Sequence, residues 1–306
     1  MKYTRREFTL TTAGAGLLTA VAGPGAFAGT DPLIRKTIPS SGETIPVIGL
    51  GTNRYGVDAS EAARAPLRAA LKRFAELGGT LIDTAPMYRS SETVLGDLIS
   101  ELGIRDEFFV ATKTDRTGGP GETRAQLKES QEKLHTRKFD LMQVHNLLGW
   151  QDALPVLREW KQEGLIRYIG ITTSRADQYS DFEQVMKKEE LDFIQVNYSL
   201  EQTESADRLM PLAADRGMGV IINRGFGGGR IFEKVGEQPV PEWASEFGCT
   251  SWAQFLLKYA VSHPAATVAI PGMTKVRHVE DNLLAARGRL PDAAERKRME
   301  AFYAAL

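Results

Sequence analysis

Short apolar runs alternate with amphipathic segments along most of the chain. Eight such runs lie between positions 47 and 271, and each is followed by a segment with helical periodicity. Their apolar residues stand at consecutive positions, so the strands that they predict are buried on both faces, as in a parallel sheet covered by helices. The runs are VIGLGT (47–52), GTLIDT (79–84), FFVATK (108–113), FDLMQVH (139–145), IRYIGITT (166–173), LDFIQVN (191–197), MGVIINR (218–224) and TVAIP (267–271).

The number of these units predicts the fold class. Eight strand-helix units close a parallel barrel, so we predict an α/β chain with a single-domain (β/α)8 TIM barrel over residues 29–306. An open doubly wound sheet is the second candidate, but GLGTNRYG (49–56) lacks the G-x-G-x-x-G spacing that its phosphate loop requires. Ahead of the first run, IRKTIPSSGETIPV (34–47) alternates polar and apolar residues around a Ser-Gly pair, which predicts an N-terminal β-hairpin.

Titratable residues stand at the carboxyl ends of three consecutive predicted strands, the end of such a barrel where chemistry collects. Asp83, Lys113 and His145 end strands two, three and four, and Tyr88 follows strand two beyond a break at Pro86. Neighbouring strands lie about 4.8 Å apart, so the four side chains can converge. A nearby ammonium favours phenolate, so we expect Lys113 to lower the pKa of Tyr88. We also expect Asp83 to keep Lys113 charged and His145 to hydrogen-bond the phenol or a substrate oxygen.

This set of side chains suits proton donation to an oxygen that gains negative charge during reduction. Rival chemistries need other residues. A metal-dependent hydrolase needs histidines at several strand ends, where only His145 stands, and a glycosidase needs a second carboxylate facing Asp83. A Schiff-base aldolase needs Lys113 neutral, whereas Asp83 favours its charged form. Taken alone, Asp83 and Lys113 also fit a structural ion pair.

The ordered motifs resemble the aldo-keto reductase family. The resemblance is carried by GLGTNRYG, IDTAPMYRSSE, ATK, VHN, GIT, QVNYS, INRGFGGG and IPGMTKVRHVEDN, which together span the predicted barrel. It implies a catalytic tetrad of Asp83, Tyr88, Lys113 and His145. It further implies an NAD(P)H-dependent oxidoreductase that reduces an aldehyde or ketone by hydride transfer, with Tyr88 as proton donor. The alternative that we keep open is a cofactor-binding redox sensor or accessory subunit.

The resemblance also implies a nicotinamide cofactor across the barrel mouth. The family's serine-asparagine pair after strand five is replaced by Thr172 and Thr173, and Asn223 stands where an aromatic side chain often stacks on the nicotinamide. Phe226 and Tyr198 are candidates for that stacking. The expected cofactor contacts are Gly51, Thr52, Thr172, Thr173, Gln195, Arg224, Gly227, Gly228, Lys275, Arg277, His278, Asp281 and Asn282.

The basic cluster Lys275, Arg277 and His278 bears on the choice between the two cofactors. It stands at a predicted helix start, where the macrodipole disfavours cations and an anionic partner offsets the cost. This favours the 2′-phosphate of NADP, with Asp281 and Asn282 near the adenine. NAD remains possible for two reasons. Gly272 stands where the family has a basic residue near strand eight, and His278 stands where the family usually has an arginine.

Composition and charge limit the range of partners. Hydrophobic residues make up 42% and charged residues 25% of the 306, which is typical of a soluble globular protein. With 38 basic and 39 acidic residues, the sequence gives no support for nucleic acid or anionic lipid as a partner, and a small carbonyl compound is expected. The single cysteine, Cys249, excludes an internal disulfide, and no metal-ligand spacing occurs. The apolar candidates for a substrate pocket are Tyr55, Met87, Leu147, Leu148 and Trp150. The sequence predicts no oligomeric state.

The first 28 residues differ in kind from the rest. Arg5 and Arg6 precede Phe8, a glycine- and threonine-rich apolar run follows, and the segment ends in Ala-Phe-Ala (26–28). This resembles a twin-arginine export signal, and it implies the twin-arginine machinery as a partner and a periplasmic location after folding in the cytoplasm. A cytoplasmic terminus or a membrane anchor is the alternative, although the run is short and glycine-rich for a span of about 20 apolar residues, so stable membrane insertion is not expected.

Overall fold

The N-terminal hairpin closes one end of a barrel. The computed structural model describes residues 31–306, and the expected export signal at residues 1–28 lies outside them. Strand β1 (Arg35–Thr37) pairs antiparallel with β2 (Thr44–Pro46), which confirms the predicted hairpin. The turn between them places Gly42 at φ 78°, in the left-handed region that glycine adopts freely. Ile38 and Ile45 pack from the hairpin onto an apolar cluster inside the barrel.

Eight parallel strands follow and pair in chain order. They are β3 (Leu50–Gly51), β4 (Leu81–Asp83), β5 (Phe109–Thr114), β6 (Phe139–His145), β7 (Ile166–Thr172), β8 (Phe193–Asn197), β9 (Gly219–Asn223) and β10 (Val268–Ala269). The first and last strands are joined by parallel bridges from Ile48 to Ala269 and from Gly51 to Gly272. The sheet therefore closes on itself, as predicted, and the open doubly wound alternative is wrong.

Closure depends on a close approach of two backbones at Gly51. Its amide donates to the carbonyl of Pro271 over 2.9 Å. A Cβ at this position would lie 2.7 Å from the carbonyl oxygen of Ile270, which is nearer than real Cβ atoms come to backbone. Only glycine fits where β3 meets the segment after β10.

Helices cover the outside of the barrel. They are α1 (Glu61–Glu76), α2 (Ser91–Leu102), α3 (Pro120–Lys133), α4 (Trp150–Gln162), α5 (Tyr179–Lys188), α6 (Leu209–Asp215), α7 (Arg230–Val235), α8 (Trp252–Ser262), α9 (Val276–Leu284) and α10 (Ala293–Ala304). The main apolar core lies between these helices and the strands. Within residues 31–306, no helix is both long and apolar enough to cross a membrane.

Candidate active site

A buried ion pair lies at the carboxyl end of β4 and β5. The ammonium of Lys113 donates to Oδ2 of Asp83 over 2.7 Å and to the carbonyl of Thr84 over 2.7 Å. The side chains are 0% and 2% exposed. Because parallel β4 and β5 are hydrogen-bonded neighbours, the two residues meet although thirty positions separate them.

Two amides hold the other oxygen of Asp83. Gln143 donates to Oδ1 over 3.2 Å and Gln195 over 2.9 Å, while Oε1 of Gln195 accepts from the hydroxyl of Thr172 over 2.9 Å. The amide of Gln195, expected to face the cofactor, is thus bound to the acid of the tetrad. Gln143 was missed by sequence reasoning, although its position two residues before His145 on β6 places both side chains on the same face of the strand.

Tyr88 stands over this ion pair beside His145. The Lys113 ammonium lies 5.1 Å from the centre of the Tyr88 ring. The rings of Tyr88 and His145 meet edge to face, with centroids 6.0 Å apart and planes at 89°. The structure therefore brings all four predicted side chains together at one mouth of the barrel, on the loops and ends of β4, β5 and β6.

The loop that carries Tyr88 is fixed at both ends. The Tyr88 amide donates to the carbonyl of Ala85 over 3.0 Å, which turns the chain back after β4. At the start of α2, the Ser91 hydroxyl donates to the carbonyl of Thr52 over 3.0 Å and lies 3.0 Å from Oγ1 of Thr84. These buried hydroxyls join α2 to β3 and β4, so the phenol is held by packed elements.

Burial and neighbouring charges have opposite effects on the pKa of Lys113 and on that of Tyr88. Burial lowers the pKa of Lys113, but the charges of Asp83 and then Tyr88 more than offset it, and the pKa is raised. Burial raises the pKa of Tyr88, and Lys113 opposes this without reversing it. The expectation that Lys113 lowers the pKa of Tyr88 below its usual value is therefore wrong in its net direction, because the cost of burying a phenolate is larger. The resting phenol keeps its proton, as an acid must.

His145 is a neutral group in this site. Its side chain is buried, the residue being 8% exposed. Burial and then the charge of Lys113 lower the pKa of His145 to about 3. Within the described residues its Nδ1 has no hydrogen-bond partner. A neutral imidazole can hydrogen-bond a carbonyl oxygen without adding charge.

We expect that kcat/KM does not depend on the protonation of a histidine between pH 5 and 8. Because the pKa of His145 is about 3 in the folded protein and about 6.5 in the unfolded chain, the ring stays neutral above pH 5. The pH profile of kcat/KM should be flat from pH 5 to 8 in the parent, and His145→Gln should lower it roughly 100-fold without changing its shape. A limb near pH 6.5 in the parent that vanishes in His145→Gln would contradict this assignment.

A cavity of about 720 Å³ opens above the tetrad. Tyr88 and His145 form part of its floor, and strand-end polar residues, a glycine-rich loop after β9 and the first turns of α9 form its walls. Nine of the expected cofactor contacts line it: Gly51, Thr52, Thr172, Gln195, Arg224, Gly228, His278, Asp281 and Asn282. Residues that sequence reasoning did not propose also line it: Arg54, Asn146, Ser174, Gly229, Phe232 and Thr274. Ser174 directly follows Thr173 and Asn146 directly follows His145, so their position next to a proposed residue was the signal that could have identified them.

Four expected contacts do not line the cavity. Thr173 points its hydroxyl at Oε1 of Gln178 over 2.6 Å, away from the mouth. Gly227 belongs to the glycine-rich loop but is buried. Lys275 and Arg277 are exposed at the start of α9, next to the cavity wall formed by His278.

The aromatic and apolar candidates are placed differently from expectation. Tyr55 is 0% exposed and donates its hydroxyl to the carbonyl of Met273 over 3.0 Å, so it is a core residue and its assignment to the substrate pocket is wrong. Tyr198 is also buried, stacked on Tyr259, and only Phe226 of the two stacking candidates lines the cavity. Met87 is 52% exposed beside Tyr88 in the chain. The remaining candidates, Leu147, Leu148 and Trp150, are half-buried after β6 and outside the cavity wall.

The cavity walls suit a dinucleotide. Gly228 and Gly229 adopt φ values of 72° and 103°, and open space lies where their Cβ atoms would be, so backbone amides can approach phosphate. On the wall at the end of β9, the Asn223 amide donates to the carbonyl of Thr173, and its Oδ1 is buried with no partner among residues 31–306. An unpaired acceptor of this kind suits a ligand that carries an amide N–H.

Comparison with known proteins agrees with this geometry. The model of the aldo/keto reductase family matches residues 47–303. The chain is 28% identical over 255 residues to the methylglyoxal reductase YeaE of Escherichia coli, covering 81% of this chain and 88% of that protein. It is 30% identical over 210 residues to the aldo-keto reductase YhdN of Bacillus subtilis, covering 62% of this chain and 61% of that protein.

Solved structures share the fold. An aldo-keto reductase from Klebsiella pneumoniae in complex with NADPH superposes with a TM-score of 0.74 at 25% identity, covering 89% of this chain and 96% of that one. The holo form of an aldo-keto reductase from Bacillus halodurans superposes with a TM-score of 0.73 at 22% identity, covering 88% and 96%.

Proposed function

This chain belongs to the aldo/keto reductase family, and from that premise we propose that it uses NADPH to reduce an aldehyde or ketone to the alcohol, with Tyr88 as proton donor. The observation that carries the proposal is the buried Lys113–Asp83 ion pair beneath a protonated Tyr88. A structural ion pair alone would not need a phenol and an imidazole on the same cavity floor.

Each member of the tetrad has a separate task. A nicotinamide cofactor bound in the cavity would supply the hydride. Tyr88 gives its proton to the carbonyl oxygen as that oxygen gains charge, and Lys113 stabilises the phenolate that remains. His145, kept neutral, hydrogen-bonds the same oxygen and orients it. Asp83 keeps Lys113 charged inside the core, and Gln143 and Gln195 hold Asp83 in place.

Absorbance at the nicotinamide band tests this activity. Purified protein mixed with NADPH and a panel of small aldehydes and ketones, methylglyoxal among them, should consume NADPH in proportion to the carbonyl added. Binding of NADPH without any consumption across the panel would refute the reductase and support a cofactor-holding sensor.

The choice of NADPH over NADH rests on charge at the start of α9. Lys275 and Arg277 are exposed there, where the helix dipole disfavours cations. Burial, with Arg277 and Lys275, lowers the pKa of His278, so the two longer side chains carry the positive charge. A 2′-phosphate would offset the repulsion. The related structure from Klebsiella pneumoniae contains NADPH.

Removing both charges should therefore weaken NADPH binding selectively. We expect Lys275→Ala/Arg277→Ala to raise the dissociation constant of NADPH about tenfold or more and to leave that of NADH within about twofold. Quenching of tryptophan fluorescence measures both constants. Lys128→Ala, which removes an exposed charge from α3, is the control and should change neither. Equal weakening of both cofactors by the double variant would argue against a 2′-phosphate site.

Export in the folded state is a further part of the proposal. Residues 1–28 carry the paired arginines and the Ala-Phe-Ala end that support it. Folding before export would let the protein carry a bound cofactor with it. Fractionation of cells expressing the full chain or Arg5→Lys/Arg6→Lys tests this, since the parent should appear in the periplasm and the variant should not. Equal distribution of both would reject the export signal.

A further inference from the structure

Arg224 holds a charged side chain in a costly backbone conformation at the cavity. It directly follows β9 and has φ 50°, in the left-handed region that non-glycine residues rarely adopt. The amide of Gly227 donates to its carbonyl over 2.8 Å, which closes the turn after the strand. Its side chain is exposed and lines the cavity. A conformation of this kind at a cavity wall points to a function for the residue that carries it.

Arg224 and the proton donor Tyr88 line one cavity. Burial is the main influence on the pKa of both Tyr88 and Tyr179, and the positive charge of Arg224 acts on both hydroxyls in the opposite direction. Tyr88 belongs to the loop after β4, and Tyr179 begins α5 after β7. Arg224 lines the same cavity as Tyr88 and His145, the space in which a carbonyl oxygen must lie to receive the Tyr88 proton.

Nothing in the described structure neutralises this charge. The acids that line the cavity are Asp83, paired with Lys113, and Asp281, which accepts hydrogen bonds from Ser251 and Gln254. Within residues 31–306, Arg224 forms no ion pair and no side-chain hydrogen bond. The cavity that Tyr88 lines therefore carries an uncompensated positive charge on its wall at the end of β9.

We propose that Arg224 binds the carboxylate of the substrate, so that the protein prefers aldehydes or ketones that carry a carboxylate over their neutral counterparts. The planar guanidinium matches a carboxylate with two parallel hydrogen bonds. The inference rests on the proposed reductase function and names the substrate class of the same site. The other anion that could meet Arg224 is the diphosphate of the cofactor, and the experiment separates the two.

Matched substrate pairs provide the test. The wild-type protein should reduce 3- or 4-carboxybenzaldehyde with a kcat/KM about tenfold or more above that for the corresponding formylbenzamide, which has the same shape without the charge. Arg224→Gln should remove this preference, and Arg224→Lys should restore part of it. Arg54→Gln is the matched control, because Arg54 is also an exposed arginine on the cavity wall but does not share the left-handed backbone conformation of Arg224. The control should keep the preference.

Cofactor binding is measured on the same variants. The dissociation constant of NADPH should change less than about threefold in Arg224→Gln, because the cofactor contact expected around this position comes from backbone amides, which the substitution keeps. If instead NADPH binding weakens and the ratio between carboxylate and amide substrates stays at the wild-type value, Arg224 serves the diphosphate and the proposal is overturned. A wild-type protein that reduces each pair equally well also overturns it.

A binding readout separates failure of this inference from failure of the reductase assignment. The protein loaded with NADP⁺ should bind 4-(hydroxymethyl)benzoate about tenfold tighter than 4-(hydroxymethyl)benzamide in calorimetry. Retention of this preference without any turnover would reject the reductase and keep the carboxylate site. Turnover without preference, or no binding of either compound, would reject the carboxylate site.

Discussion

Replacing Tyr88 by phenylalanine is expected to lower kcat/KM for carbonyl reduction by about 10³-fold, while the dissociation constant of NADPH stays within about twofold. The ring that meets His145 edge to face remains, and only the hydroxyl above Lys113 is lost. Because this hydroxyl is the group that keeps its proton at rest and lies beside the ammonium, its removal takes away proton transfer and leaves binding intact. Steady-state NADPH consumption and fluorescence quenching give the two values.

Tyr179→Phe is the control for this experiment. Tyr179 is a second tyrosine that begins α5 after β7, and it is not among the residues that line the cavity. Burial and then the charge of Glu204 raise its pKa to about 12. Its loss should change kcat/KM less than about threefold, in line with a substitution outside the tetrad. Turnover in Tyr88→Phe close to that of the parent would show that another group supplies the proton.

Removal of the buried ammonium is the second large effect. Lys113→Met keeps the length of the side chain but leaves Asp83 buried with only the amides of Gln143 and Gln195. The free energy of unfolding should fall by about 3 kcal/mol, the usual cost of breaking a buried pair on one side. Urea denaturation measures it. In the double variant Asp83→Asn/Lys113→Met both charges are gone, so stability should largely return while activity does not.

The same substitution shifts the pH dependence of the reaction. Burial raises the pKa of Tyr88 and Lys113 partly opposes it, so loss of Lys113 raises that pKa further. Reduction needs the protonated phenol, so the alkaline limb of kcat/KM should move to higher pH in Lys113→Met, at a rate lower by about 10²-fold or more. If the alkaline limb of Lys113→Met lies at the same pH as that of the parent, the charge of Lys113 does not affect the pKa of Tyr88.

The barrel and the tetrad could be predicted because both follow from local patterns. Apolar runs buried on both faces specify parallel strands, and in a barrel all carboxyl ends share one mouth, so Asp83, Lys113 and His145 had to meet. The order of these residues along the chain was therefore sufficient to predict that they share one site. Closure was harder to foresee, since it depends on the space that only Gly51 leaves beside the Ile270 carbonyl.

The remaining features of the site depended on the sizes of opposing electrostatic effects and on the directions of side chains. The pattern of apolar and polar residues in the sequence contains neither. The net pKa shift of Tyr88 is the difference between the effect of burial, which raises the pKa, and that of Lys113, which lowers it. The sequence gives the direction of each effect but not which of them is larger. Gln195 has an amide that could face either the cofactor or Asp83, and packing decides. Tyr55 looks like a pocket residue in sequence, but the turn after β3 directs it into the core.

Solvent isotope effects on single-turnover reduction test most directly whether a proton moves from Tyr88 as the carbonyl is reduced. Protein preloaded with NADPH is mixed with excess aldehyde in H₂O or D₂O, and the loss of nicotinamide absorbance is followed. We expect a slower rate in D₂O for the parent, and a residual rate without this dependence in Tyr88→Phe. Equal rates in both solvents for the parent, together with slowing by deuterium at the transferred hydride, would contradict proton donation from Tyr88 in the reducing step.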